Sequence, residues 1–199
     1  WSHPTWAEVS SDNSDKVPGW SEVIFAVKSG GVETLEEIAP TAVDGTPKSV
    51  NLTQSPGQNS STIPQSGNSW PSGEGVHGNT AYQNDDNGTD TVFIIDNYLR
   101  DITNDMNIEG SDPAMDADGT LVFVRQVGGM DHLFTDTPGG TATPVDITPN
   151  STTNCTEPVW SPDESLIAFS TPDGVETVHP DGSAPAMVTY TPGFPAYRP

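Results

Sequence analysis

One unit recurs along these 199 residues, and the recurrence limits the fold more than any other property of the chain. Its fullest copy runs from Glu157 to Ser170: Glu-Pro-Val-Trp-Ser-Pro-Asp-Glu-Ser-Leu-Ile-Ala-Phe-Ser. The copy opens on Pro158 and Trp160, turns at Ser161-Pro162-Asp163-Glu164, and continues as a short apolar strand from Leu166 to Phe169. Pro162 fixes its own φ and the Asp163 side chain can bond its own backbone, so these residues dictate the turn. Similar openers stand at His3-Pro4-Thr5-Trp6, at Asp112-Pro113-Ala114-Met115 and, without the proline, at Asn79-Thr80-Ala81-Tyr82. Another, Phe194-Pro195-Ala196-Tyr197-Arg198-Pro199, ends the chain. Closers of one type follow at Asn51-Leu52-Thr53, Asp101-Ile102-Thr103, Asp146-Ile147-Thr148 and Met187-Val188-Thr189, with threonines 50, 45 and 41 residues apart.

The middle of the unit repeats as well. Gly31-Val-Glu-Thr-Leu35 matches Gly174-Val-Glu-Thr-Val178, and Gly129-Met-Asp-His-Leu133 takes the same place. Only 32% of the residues are apolar, against roughly 45–50% in typical globular domains. They fall in short runs such as Val23–Val27, Val92–Ile95 and Leu121–Val124, bounded by turn residues, which read as strands. Four short antiparallel strands in about 40–50 residues is the content of one propeller blade. The expectation is an all-β propeller with about four blades visible and a ring that this chain leaves incomplete. The blades are expected at 1–53 (with an insertion, Glu8 to Gly19), 78–110 (short or degenerate), 111–150 and 151–190. A polar loop over 54–77 would join the first two, and 191–199 would open a further blade. In the second copy only Asn97 to Arg100 separate the apolar run from the closer, so a third strand is missing there, reduced, or absent from these residues.

The pattern Pro-x-Trp-Ser-Pro-Asp-x-x-x-Ile-Ala-Phe-Ser, with Asp-Gly-Ser and an apolar-Thr closer, resembles the TolB-type β-propeller repeat. Residues 157–189 match it well, 111–148 clearly, and 79–103 weakly; the first copy matches at its opener and second half. The resemblance implies opener strands lining a central channel, with Pro4, Trp6, Pro113, Pro158, Trp160, Pro162, Asp163, Pro195 and Tyr197 as structural repeat positions. It implies no catalytic residues. Departures are Met115 for the Trp, Asp116-Ala117-Asp118-Gly119 at one turn, and Glu164 where a turn glycine is expected. Such rings usually resemble six- to eight-bladed structures, and the chain starts and stops in the same phase, on an opener. A further length of chain or a protein partner is therefore expected to complete the ring.

The formal net charge is −22, with six Lys plus Arg. That field repels a phosphate backbone and an anionic membrane surface, and it favours cations and basic partners. No window approaches the roughly 18 apolar residues of a membrane span. Cys155 is the sole cysteine, which excludes an intrachain disulfide, and with no His nearby it reads as a small packing residue. A first residue of Trp in place of Met indicates a processed protein or part of a longer one. Sequon-like triplets at Asn51, Asn59, Asn87, Asn150 and Asn154 fit an exported, periplasmic or extracellular protein, although a chain this rich in Asn, Ser and Thr produces some by chance.

Oxygen-rich turns at Asp85-Asp86-Asn87-Gly88-Thr89-Asp90, Asp116–Gly119 and Asp12–Asp15 are of the type that binds Ca²⁺, and equally of the type that simply turns. Asp85, Asp86, Asn87 and Asp90 are the best candidates for ligands. His3, His77, His132 and His179 are far apart in sequence and match no zinc spacing. No nucleophile elbow, Cys-His signature or phosphate-cradling loop is present. Trp70 stands alone in the polar stretch and either folds back onto the blades or docks on a partner. The repeats favour a non-catalytic propeller serving as a protein-binding scaffold or structural subunit of an exported assembly. The alternatives are the propeller portion of a larger secreted hydrolase or lyase, and a Ca²⁺-dependent carbohydrate-binding module.

Overall fold

The computed structural model describes residues 2–8, 21–29, 32–38, 49–51, 68–73, 79–85, 88–96, 101–102, 108–138 and 143–189. Among them there is no helix, and therefore none long and apolar enough to cross a membrane. Four antiparallel sheets follow one another along the chain. The first is β1 (Ser2–Glu8), β2 (Ser21–Ser29), β3 (Val32–Ile38) and β4 (Ser49–Asn51). The second is β5 (Asn68–Gly73), β6 (Asn79–Asn84), β7 (Thr91–Asp96) and β8 (Asp101–Ile102), with β9 (Ile108–Glu109) also on the outer edge of β7. The third is β10 (Ser111–Met115), β11 (Leu121–Val127), β12 (Met130–Asp136) and β13 (Val145–Asp146). The fourth is β14 (Thr156–Trp160), β15 (Ile167–Thr171), β16 (Gly174–Val178) and β17 (Ala186–Thr189).

Within each sheet the strands pair in sequence order, and the first strands pack in succession: β1 on β5, β5 on β10, β10 on β14. Among the described residues β1 and β14 share no comparable packing, so the four blades form an arc of a propeller.

The hydrophobic cores lie between blades. One joins Ala81, Val92 and Ile94 of the second blade to Met115, Leu121, Phe123 and Phe134 of the third. The next joins Ala114, Val122, Val124, Leu133 and Ile147 of the third to Cys155, Ile167, Phe169 and Val178 of the fourth, with Trp160 packed against it. Successive β11 residues thus face opposite neighbours, which explains the unbroken run Leu121-Val122-Phe123-Val124: a strand buried on both faces has no polar face to alternate with.

The second blade departs from the sequence expectation. Asn68–Gly73, expected within the polar loop, is its first strand, paired to β6. The opener is therefore Trp70-Pro71-Ser72, proline included, and Asn79–Asn84 is the second strand. The blade starts at 68, not 78, and has all four strands. Sequence reading misses β5 because Asn, Ser, Pro and Gly have low β propensity and the strand carries no apolar alternation. Its place is set by pairing and by its neighbours, as when Met115 N–H donates to Ser72 Oγ at 2.9 Å.

The middle of the unit also shifts. Sequence alignment on the glycines sets Gly129 against Gly174, but pairing sets Phe123 opposite Phe134 and Phe169 opposite Glu176. The β11–β12 hairpin extends further before its Gly128-Gly129 turn than β15–β16 does before Pro172-Asp173. Leu133 is therefore the counterpart of Val175, and Phe134 the counterpart of Glu176.

Tyr82 and Phe93 stack at 5.7 Å on the other face of the second blade, which turns toward the first. Tyr82 is fully buried and its hydroxyl has no hydrogen-bond partner among the described residues. The same burial pushes its phenol pKa far up. A buried unpaired hydroxyl costs about 1–3 kcal/mol. Tyr82→Phe is accordingly expected to raise stability by about 1 kcal/mol in urea unfolding; a loss of stability would mean the hydroxyl is paired.

Candidate functional site

The first strand of each blade carries an irregular backbone. The register of each first strand shifts at the same place: between Ser2 and Thr5, Ser69 and Ser72, Ser111 and Ala114, Thr156 and Val159. Each shift spans an opener proline and the residue before it, His3, Trp70, Asp112 or Glu157. In the third and fourth blades these residues adopt positive φ, 48° at Asp112 and 52° at Glu157. A side chain in that region, directly before proline, costs about 1–3 kcal/mol and persists only where surroundings hold it.

Hydrogen bonds between blades hold it. The Asp112 N–H donates to Gln83 Oε1 at 3.1 Å, and the Glu157 N–H donates to Asp112 Oδ2 at 3.1 Å. Gln83 Nε2 donates to Asp90 Oδ1 at 2.8 Å, and Ser170 Oγ donates to Glu157 Oε2 at 3.4 Å. The bulge thus turns each N–H sideways toward the preceding blade, and a polar line runs from Asp90 through Gln83, Asp112 and Glu157 to Ser170. Asp112→Ala removes one acceptor and is expected to cost about 1–2 kcal/mol, whereas Asp112→Asn keeps a side-chain oxygen and should lose less than half of that. Equal losses in a thermal melt would show that this acceptor does not matter.

The repeat residues take the following places. Pro113 and Pro158 are buried, and Trp160 Nε1–H donates to Ala114 O across the blade interface at 3.2 Å. Pro162 and Asp163 form an exposed turn, in which Asp163 Oδ1 accepts from Ser161 Oγ at 2.7 Å and Ser165 Oγ at 2.8 Å. Those hydroxyls hold its carboxyl below the ordinary range. Glu164, at the expected glycine position, has φ 58°, and its Oε1 accepts the Ala117 N–H at 3.0 Å from the third blade's corresponding turn. Pro4 and Trp6 lie on β1 and Trp70 on β5, with side chains outside the described residues; Pro195 and Tyr197 lie outside them altogether.

Asp85 and Asp90 flank the turn between β6 and β7, both exposed, while Asp86 and Asn87 lie outside the described residues. Asp90 already accepts from Gln83, and no group of three or more His, Cys, Asp or Glu that could hold a metal occurs among the described residues. His132 is buried, its Nδ1 2.9 Å from Asp146 Oδ2, and His179 Nδ1 lies 2.9 Å from Ser165 O. Cys155 is buried beneath the link between the third and fourth blades, its Sγ–H donating to Ser151 Oγ at 3.3 Å; burial raises its pKa, opposed by hydrogen bonding with Ser151 and Thr148. Sequence reading missed Gln83 because a glutamine on an apolar strand resembles a surface residue until its partner Asp112 is placed.

No known family profile matches the chain, nor does any curated protein sequence. Solved structures do. TolB from Acinetobacter baumannii superposes with a TM-score of 0.60 at 17% identity, over 95% of this chain and 43% of that one. A putative TolB from Agrobacterium tumefaciens gives 0.63 at 15% identity, over 82% and 59%. The chain thus spans about half the length of these structures. At such identities the likeness concerns the fold, which is that of a TolB-like β-propeller.

Proposed function

We propose that the chain is part of a non-catalytic propeller that serves as a protein-binding scaffold or structural subunit of an exported assembly, periplasmic or extracellular. One observation carries the proposal. On the face of the fourth blade turned away from the third, Val159, Ala168 and Val175 remain partly exposed. Their counterparts in the third blade, Ala114, Val122 and Leu133, are 9%, 0% and 0% exposed beneath the fourth. That face has the composition of a blade interface and takes another sheet, supplied by a further length of chain or by a protein partner. Met187 and Val188, on the outer strand β17, are 50% and 57% exposed. The acidic surface suits basic partners.

Sedimentation of the isolated 21.0 kDa chain tests this. A mass that rises above the monomer with concentration is expected. A compact monomer whose cooperative melting is independent of concentration would contradict it.

Calcium at Asp85, Asp86, Asn87 and Asp90 is a separate proposal, supported by four oxygen-bearing side chains on one turn. Calcium should raise the melting temperature, and Asp85→Asn should abolish the rise; no rise removes the site and the carbohydrate-module reading with it.

A further inference from the structure

The grooves on the two sides of the third blade are built alike and filled differently. Between the second and third blades, Gly110 N–H donates to Asp90 O at 2.9 Å; between the third and fourth, Cys155 N–H donates to Asp131 O at 2.8 Å. In the first of these grooves Phe123 and Phe134 stack at 5.9 Å. The Arg125 guanidinium lies over both rings, 5.2 Å and 4.9 Å from their centres, and its Nε–H donates to Glu109 O at 3.0 Å. The chain thereby places one of its six basic side chains in a groove that also holds Asp90, Glu109 and Asp131.

In the second groove the strand pairing puts Phe169 for Phe123, Glu176 for Phe134 and Thr171 for Arg125. An aromatic ring is replaced by a carboxylate and the resident cation is gone. A cavity of about 300 Å³ opens there, walled by Ile147, Pro149, Phe169 and Pro185, with the carboxylates of Asp173 and Glu176 on its lining. Among the described residues, no Lys, Arg or His lines it. Thr171 Oγ1 donates to Glu176 Oε1 at 3.4 Å.

We propose that this groove receives the guanidinium or ammonium group of an arginine or lysine side chain from a bound polypeptide. The apolar walls suit the aliphatic stem, and Glu176 and Asp173 suit the charged head. The cation takes the part that Arg125 plays one blade earlier. The inference rests on the protein-binding reading above and specifies the chemistry of one contact.

The test uses the whole chain with Nα-acetyl-arginine methylamide, the lysine equivalent, the uncharged norleucine equivalent and spermidine, followed by amide chemical shifts. The arginine and lysine amides should bind saturably, with Kd on the order of millimolar. Shifts should be confined to residues 147–155, 169–176 and 182–185. Glu176→Gln should weaken binding about tenfold, and Asp173→Asn, on an exposed turn, should weaken it without endangering the fold. Thr171→Arg should block the groove with the chain's own guanidinium. Equal binding of the norleucine amide, indifference to both carboxylate variants, or unsaturable shifts over the whole acidic surface would each overturn the proposal. Binding of spermidine alone would also overturn it by assigning the groove to free polyamines. These results are independent of sedimentation, so the pocket can fail while the scaffold reading stands, and the reverse.

Discussion

Replacing Phe123 with alanine is expected to cost about 3–5 kcal/mol, read as a fall in the urea midpoint at unchanged slope. Phe123 is fully buried between the second and third blades, stacked on Phe134 and covered by Arg125. Truncation removes the ring from two blades at once and leaves the guanidinium over a void. Neighbouring strands are fixed by their own ladders and can collapse only partly into the space. With total stabilities of roughly 5–15 kcal/mol, the loss is a large share of what holds a domain together. A loss below about 1 kcal/mol would mean that the ring is not packed between blades.

The second large effect comes from adding one carbon. A Cβ on Gly110 would meet Phe123 Cδ2 and the Val124 carbonyl oxygen, each at 2.7 Å. The Gly110 N–H is bonded to Asp90 O, so the backbone is tied on the side away from the clash. Gly110→Ala is therefore expected to cost about 3 kcal/mol, at the upper end of overpacking penalties. Because the carbonyl contact survives loss of the ring, Phe123→Leu should relieve only part of it. A thermal melt of the single and double variants checks both statements, and a neutral Gly110→Ala would refute the close approach of link and blade. The fourth blade has Cys155 at the corresponding position, where Glu176 replaces the second aromatic ring.

How much of this was legible in the sequence depended on what each strand buries. The third and fourth blades could be read because Leu121–Val124 and Leu166–Phe169 are short apolar runs beside strong turn residues, and the buried strand leaves that trace. The inner strand β5 could not, because it is Asn, Ser, Trp, Pro, Ser and Gly, held by backbone pairing and by neighbours 40 or more residues away, as in the 43-residue separation of Met115 from Ser72. Repetition revealed the openers but misaligned the third strands, since matching glycines at 129 and 174 ignores a difference in hairpin length. That shift places Glu176 on the wrong face and hides the second groove. The line from Asp90 to Ser170 had no sequence signal, because its members are single polar residues on different blades. The Asp-rich turn at 85–90 was legible as a turn; the bond that Asp90 accepts from Gln83 is one no spacing rule indicates.

The central claim is that the face of the fourth blade bearing Val159, Ala168 and Val175 is an interface. Sedimentation velocity of the parent chain beside Ala168→Asp tests it most directly. A charge at that position should leave the third–fourth core intact, as judged by near-ultraviolet circular dichroism, while making contact with another sheet unfavourable. The expected result is a parent mass above 21.0 kDa that falls to the monomer in Ala168→Asp with its spectrum unchanged. A parent that is already a stable monomer, or an association that Ala168→Asp leaves untouched, would contradict it.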